Sequence, residues 1–404
     1  MGECGARCGR QDRRARVCHG RRAVAARDAG NDLPASKFAA DGIVQPGTTK
    51  DENRGIATVV RVWNSEKCTT CNLCSLYSTH GAIRPFLLND EEAAKAPESF
   101  TTTNMKCTGD VAKSKFRVHV FTLDCAVCTT ACPTNCLTTK DIGEVHDVET
   151  KNGDNAMTLP ARNELADRRT SAARCCTTYL EFSGVLEGFN ETALVKLLTQ
   201  LFGERLMIAN VTGCSSIWGG TWGTNPSTVD AKGYGPAWVN SLFEDNAEYG
   251  FGMFLATQRR RNLRAQLVTE AVNFEQGCDK MKALLREWLE KKEDAVECEH
   301  LYKILPMLEG ASDKCVLCKK IHTNSDLFIK LTQSIISGDG WAYDIGYNCI
   351  DHVLASGNNA NTIVLDTEMY SNMGGQKHGL RNSKIKCSVS PNFYVYFLLW
   401  EDLL

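Results

Sequence analysis

The stretch Ser337 to Gln376, SGDGWAYDIGYNCIDHVLASGNNANTIVLDTEMYSNMGGQ, constrains this chain more than any other part of it. The apolar pair Ile335-Ile336 predicts a strand that delivers Asp339 to its carboxyl end. Ile345 to Leu354 has helical character, and Gly357 is a fitting left-handed stop. Thr362 to Leu365 is a short apolar run of buried-strand type, followed by Thr367, Asn372 and the pair Gly374-Gly375. Such a βαβ unit brings two strand ends to one rim of a parallel sheet, where ligands usually sit. One carboxylate with Thr and Asn oxygens and close-approach glycines suits a hard cation holding a diphosphate. Taken alone, GDG is more simply read as a turn.

A chain of 404 residues has room for two or three domains. Its formal charge of -2 argues against a nucleic-acid-binding surface as its main purpose. No apolar run approaches the roughly eighteen residues of a membrane span. The twenty cysteines are the unusual feature of the composition. No secretory signal precedes them, since Met1 to Gly30 holds eight arginines and no apolar core. Clustered cysteines without an oxidising destination point to metal or iron–sulfur ligation rather than disulfides. The Arg-rich start reads either as an organellar transit peptide or as a misassigned start of the coding sequence.

Asp32 to Trp63 is a Pro/Gly-punctuated lead-in of extended type. Cys68, Cys71 and Cys74 then form one group, followed by Ser78-Thr79; Cys125, Cys128 and Cys132-Pro133 form a second, with Cys136 beyond. The two groups resemble the two-cluster ferredoxin pattern C-x2-C-x2-C-x3-C-P, in which the fourth cysteine of each run serves the other cluster. Soft thiolate sulfur suits iron–sulfur or zinc, and zinc is the plainer alternative. Both runs depart from the pattern: Ser78 and Thr79 stand for the closing Cys-Pro of the first, and Thr122 for the opening cysteine of the second. Crossed ligation leaves one complete [4Fe-4S] set, Cys68, Cys71, Cys74 and Cys132. A second has Cys125 and Cys128, with Ser78 and Thr122 where sulfur is needed; Cys136 or Cys107 could substitute.

Glu144 to Arg174 is polar and aperiodic and reads as a linker. Asn190 is an N-cap candidate for a helix with apolar positions Ala193, Leu194, Leu197, Leu198 and Leu201, which Gly203 can stop. Leu206 to Val211 is a strand signal ending in Thr212-Gly213-Cys214-Ser215-Ser216. Pro236 to Met253 reads as a polar, glycine-rich loop whose acids are solvated or capping. Arg259 to Phe274 and Met281 to Leu305 are helical in composition. Cys315-Val-Leu-Cys318 is a lone CxxC without a partner pair and carries no site on this reading.

GDG followed some thirty residues later by such an Asn resembles the thiamine diphosphate and magnesium motif. Together with DLPASKFAADG, GTTKDENRGIA, CTTCNLC, GAIRPFLL, LLTQLFG, IANVTGCSSIWGG, GPAWVNSLFEDNAEYGFGM, GDGWAYDIGY, DHVLASG and LDTEMYSNMGGQ, it resembles pyruvate:ferredoxin (flavodoxin) oxidoreductase over about Asp32 to Gln376. The resemblance implies an α/β fold. A small α+β two-cluster ferredoxin-like domain at 32–157 precedes a truncated, doubly wound parallel sheet that binds thiamine diphosphate at 158–376. The ends 1–31 and 377–404 lie outside it.

By that resemblance, Asp339, Thr367 and the Met369 carbonyl hold Mg2+. Gly338, Asp339, Gly340, Trp341, Thr367, Glu368, Met369, Tyr370, Ser371 and Asn372 line thiamine diphosphate, with Glu191 and Cys214 nearby and Asn372 as the catalytic side chain. Thiamine-dependent oxidative decarboxylation of pyruvate follows, with acetyl passed to coenzyme A and electrons to ferredoxin or flavodoxin. A homodimer in the cytoplasm or a mitochondrion-like organelle is implied. Leu186 and Phe189 replace two cysteines of the family's proximal cluster, leaving Cys214 alone, so that cluster is expected to be lost. The glutamate and pyruvate-binding residues of the family fall in domains N-terminal to this sequence, so the chain alone is expected to lack turnover. After Gln376 the remaining strands are expected to be missing, leaving an exposed apolar sheet edge. An electron-carrier module and a non-functional truncated product are the alternatives.

Overall fold

A computed structural model describes residues 34–37, 46–49, 58–121, 127–165, 175, 177–185, 189–220, 225–231, 233–241, 244–274, 279–312, 315–323, 325–367, 369–370, 374–377 and 395–398. The chain divides into two compact units, Met1–Glu204 with Ser216–Pro236, and Arg205–Ser215 with Ala237–Leu404.

In the first unit, β1 (Val59–Trp63) and β5 (Leu137–Asp141) pair antiparallel, with Val59 opposite Asp141 and Trp63 opposite Leu137. A second antiparallel sheet has the order β2 (Ile83–Leu88), β4 (Lys115–Val120), β3 (Thr103–Asn104). Val60, Trp63, Phe116, Val118 and Leu137 form a core together with buried cysteines.

The expected linker from Glu144 is instead a helix, Ile142–Thr158. Its polar composition hides the helix because its inward face is itself polar or small: Glu149, Asn152, Gly153 and Ala156 are buried. Glu149 lies 3.5 Å from Arg117, and Asn152 accepts a hydrogen bond from Ser99 at 2.9 Å. Partners on β4 and its surroundings replace the apolar stripe a sequence reader looks for. The adjacent His119 is held neutral; burial, then Arg117 and Arg84, push its pKa down to about 3.

The helix Asn190–Phe202 begins at Asn190 itself; Phe189 occupies the cap position and makes no side-chain cap bond. Gly203, at φ +60°, closes it as expected. The deeply buried face is not the leucine stripe but Thr192, Val195, Lys196 and Thr199, while Leu194, Leu197, Leu198 and Leu201 are half-buried. Lys196 is tolerated inside because its ammonium donates to the carbonyls of Ser75 and, at 3.0 Å, Ser78.

The second unit carries a parallel sheet of order β10 (Val395–Leu398), β9 (Asn361–Leu365), β8 (Thr332–Gly338), β6 (Leu206–Val211), β7 (Ala237–Ser241). β9 is therefore not left open: residues 395–398 pair along it, Val395 opposite Thr362 and Leu398 opposite Leu365. This corrects the expectation that the sheet stops at Gln376.

The loop expected at Pro236 to Met253 resolves into β7 and the start of a 28-residue helix, Asn246–Asn273. Gly250 and Gly252 are helical here. A Cβ on Gly250 would sit 2.6 Å from Ile335 and 3.0 Å from Ala209, so this glycine lets the helix lie directly on β8 and β6. Farther along, Asp279–Lys291, Leu305–Ala311 and Val316–Thr323 surround a core of Val268, Leu285, Trp288, Leu308, Ile321 and Phe328.

Candidate functional site

Because β6, β8 and β9 run parallel, their carboxyl ends share one edge of the second unit's sheet. β8 ends at Gly338 and hands over to Asp339; β9 ends at Leu365 and hands over to Asp366 and Thr367. Asp339 is buried, and its carboxylate is reached from the β9 side. The Thr367 backbone N–H donates to it at 2.9 Å, the Met369 N–H at 2.9 Å. The Thr367 hydroxyl lies 3.4 Å from the same carboxylate and 3.1 Å from the Met369 carbonyl oxygen. Three hard oxygen donors, a carboxylate, a hydroxyl and a carbonyl, thus converge, although their residues come from two strand ends.

Burial first, and then the Asp366 carboxyl, raise the Asp339 pKa to about 7 against the lowering effect of the Thr367 N–H. Tyr343 donates to Asp366 at 2.6 Å. Sequence reading missed both Asp366 and Tyr343. Position immediately after a buried strand was the available signal for Asp366; Tyr343 had none beyond its place after GDG.

Below the acid pair the packing is tight. Trp341 is fully buried, and its indole N–H has no hydrogen-bond partner among the described residues. Gly340 faces the Tyr370 ring so closely that a Cβ would fall 2.0 Å from it. Tyr370 donates to Asp344 at 2.8 Å, and burial first, then this bond, pushes its pKa up to about 12. A Cβ on Gly338 would make only ordinary contact with the Leu365 carbonyl, at 3.7 Å. On β6, Asn210 donates to Ser215 at 2.8 Å and to the Ile336 carbonyl at 2.9 Å, tying the strand end to its neighbour.

Of the residues named from sequence, Gly338, Asp339, Gly340, Trp341, Thr367, Met369 and Tyr370 lie together. Cys214 opens the helix Cys214–Gly220 after β6. Glu191 belongs to the first unit, where burial raises its pKa to about 7 and Trp218 donates to it at 3.2 Å. Glu368, Ser371 and Asn372 lie outside the described residues, as do Cys125, Thr122 and Leu186.

The first unit gathers the other sequence-predicted set. Cys68, Cys74, Cys128, Cys132 and Cys136 are buried, and Cys71 is half-buried. Cys132 and Cys136 sulfurs are 3.4 Å apart. A hydrogen bond with Cys136 is the largest influence on Cys68 and lowers its pKa to about 6. Burial, then the charges of Cys128, Cys68, Cys71 and Cys132, raises Cys74 to about 12. Cys136, next in the chain after the second group, thus lies against Cys132. Ser78, where the pattern wants sulfur, uses its hydroxyl to accept the N–H groups of Ala82 and Ile83 at 3.2 and 3.3 Å. Among the described residues no group of three or more His, Cys, Asp or Glu side chains is arranged to hold a metal ion, and no helix is long and apolar enough to cross a membrane.

No protein-family model matches the chain. It is 44% identical over 352 residues to "Pyruvate dehydrogenase [NADP(+)], mitochondrial" of Euglena gracilis, covering 86% of this chain and 19% of that protein. Against the pyruvate:ferredoxin oxidoreductase of Moorella thermoacetica it is 44% identical over 359 residues, 86% of this chain and 30% of the relative. Against the pyruvate-flavodoxin oxidoreductase of Klebsiella pneumoniae it is 39% identical, over 87% of this chain and 30% of the relative. The chain thus spans less than a third of each of these relatives.

Proposed function

We propose that this chain, homologous along 86% of its length to one segment of the pyruvate:ferredoxin (flavodoxin) oxidoreductases, supplies such an enzyme with its Mg2+–diphosphate cradle and an iron–sulfur module. The observation that carries the first part is the convergence of Asp339, Thr367 and the Met369 carbonyl at adjacent strand ends. Their donor set is entirely oxygen, which suits Mg2+. Two neighbouring carboxyls, Asp339 and Asp366, also form a site whose charge repulsion a divalent cation would relieve.

When bound, thiamine diphosphate supplies the carbanion chemistry for decarboxylating pyruvate, with coenzyme A as acetyl acceptor and ferredoxin or flavodoxin as electron acceptor. The chain's own part is positional. Asp339 and Thr367 anchor the cation, Tyr343 orients Asp366, and Gly340 lets Tyr370 close over the turn. Glu368, Ser371 and Asn372 complete the lining on this proposal, with Asn372 the side chain nearest the reacting centre.

The proposed iron–sulfur module rests on the chemistry of the first unit's buried thiols, whose soft sulfur suits such a centre, and not on an arranged ligand set. Cys68, Cys71, Cys74 and Cys132 are its proposed ligands, with Cys136 the close competitor; a second centre using Cys125 and Cys128 remains short of sulfur. Turnover in the cytoplasm or an organelle belongs to the complete enzyme, a homodimer in this proposal. Calorimetry of Mg2+–thiamine diphosphate with wild type and Asp339→Ala tests the cradle without requiring turnover. Equal binding by the two would overturn it. Anaerobic iron and sulfide analysis tests the module: about four irons per chain supports it, and zinc without sulfide refutes it.

A further inference from the structure

Cys315 and Cys318 lie in the second unit's helical part, outside the cradle. Cys315 is half-buried and takes the cap position of the helix Val316–Thr323, its carbonyl accepting the Lys319 N–H at 3.0 Å. Its sulfur accepts the backbone N–H of Cys318 at 3.4 Å, the role a capping oxygen usually plays. Cys318 is buried, 4% exposed, and packed in the core of Trp288, Leu308 and Phe328.

The asymmetry is chemical as well as geometric. The backbone N–H and thiol of Cys318 hold the Cys315 pKa below its ordinary value against the opposing effect of burial. Burial, then the neighbouring Cys315, pushes Cys318 up to about 11. An accessible thiol at a helix N-terminus with a buried thiol three residues on is the arrangement that thiol–disulfide exchange requires. Lys319 and Lys320 are exposed on the following turn, a cationic surround suited to an anionic disulfide.

We infer that Cys315 and Cys318 form a thiol–disulfide exchange site, with Cys315 the nucleophile, Cys318 the resolving thiol and low-molecular-weight disulfides the oxidant. The Cys315 thiolate attacks one sulfur of the disulfide; that S–S bond breaks and one thiolate leaves with the electron pair. Cys318 then loses its proton to solvent and attacks the Cys315 sulfur, expelling the second thiolate. The protein dithiol loses two electrons and two protons, and the oxidant becomes two thiols.

The test equilibrates the full chain anaerobically in glutathione buffers of rising disulfide content, then acid-quenches, alkylates and digests it. Mass spectrometry reads the tryptic peptide from Cys315 to Lys319, which separates this pair from the other cysteines. The peptide is expected to lose two hydrogens and carry no glutathione. Cys318→Ser is expected to hold glutathione on Cys315, and Cys315→Ser to leave Cys318 reduced. In the reduced chain Cys315 is expected to alkylate about tenfold faster than Cys318 or more. A wild-type peptide still doubly alkylated in pure glutathione disulfide overturns the inference. So does glutathione on Cys318, or Cys318 alkylating first. The wild-type measurements decide the matter even if a serine variant does not fold.

Discussion

Thr367 donates its backbone N–H to the carboxylate of Asp339 at 2.9 Å, across 28 residues of chain. This bond joins the ends of β8 and β9 and leaves the Thr367 hydroxyl between the Asp339 carboxylate and the Met369 carbonyl. Thr367→Ala keeps the backbone bond and removes only the hydroxyl. It is expected to cost about 1 kcal/mol of stability while weakening Mg2+–thiamine diphosphate binding about 10- to 100-fold. Calorimetry paired with thermal melting reads both; unchanged affinity would remove Thr367 from the ligand set.

Gly250→Ala and Gly252→Ala should move stability in opposite directions. At 250 the new methyl meets Ile335 and Ala209, so overpacking of about 1–3 kcal/mol is expected. At 252 nothing lies within 4 Å, and the helix-propensity gain of about 1 kcal/mol should appear as a raised melting temperature. Equal shifts would contradict the close approach of helix and sheet.

Glu149→Ala leaves the Arg117 guanidinium buried without its carboxylate partner, and a loss of about 3–5 kcal/mol is expected. Arg117→Met combined with Glu149→Leu should recover most of it, because an apolar pair has no charge to desolvate. Denaturant unfolding of the three proteins checks the sign of the coupling.

Glu191 gives a pH dependence. Its folded pKa is raised from 4.5 to about 7, chiefly by burial. The folded state therefore binds its proton more tightly than the unfolded chain, so stability falls as pH rises from about 4.5 to about 7. Below that window the group's contribution is fully present; above it the loss is complete, at about 3 kcal/mol. Glu191→Gln should flatten that portion of the stability profile. An unchanged slope would place the buried charge elsewhere.

The sequence by itself determined the local half of this protein. Leu206 to Val211 and Thr362 to Leu365 announced β6 and β9 because apolar runs bounded by turn residues have few other folded outcomes. Gly203 and Gly357 marked helix ends because both adopt positive φ. GDG put Asp339 just past a strand, and the cysteine spacing marked a thiol-rich module. Tertiary structure decided what depends on partners distant in sequence. Glu149 and Asn152 turn a polar stretch into a packed helix only because Arg117 and Ser99 meet them. Lys196 can face inward only because the carbonyls of Ser75 and Ser78 receive it. Asp366 becomes part of the acid site through parallel pairing of β8 with β9, and the two thiols of the CxxC become unequal only once one caps a helix and a core buries the other. Local propensity is written along the chain, whereas the cost of burying a polar group is settled by whichever partner the fold brings to it.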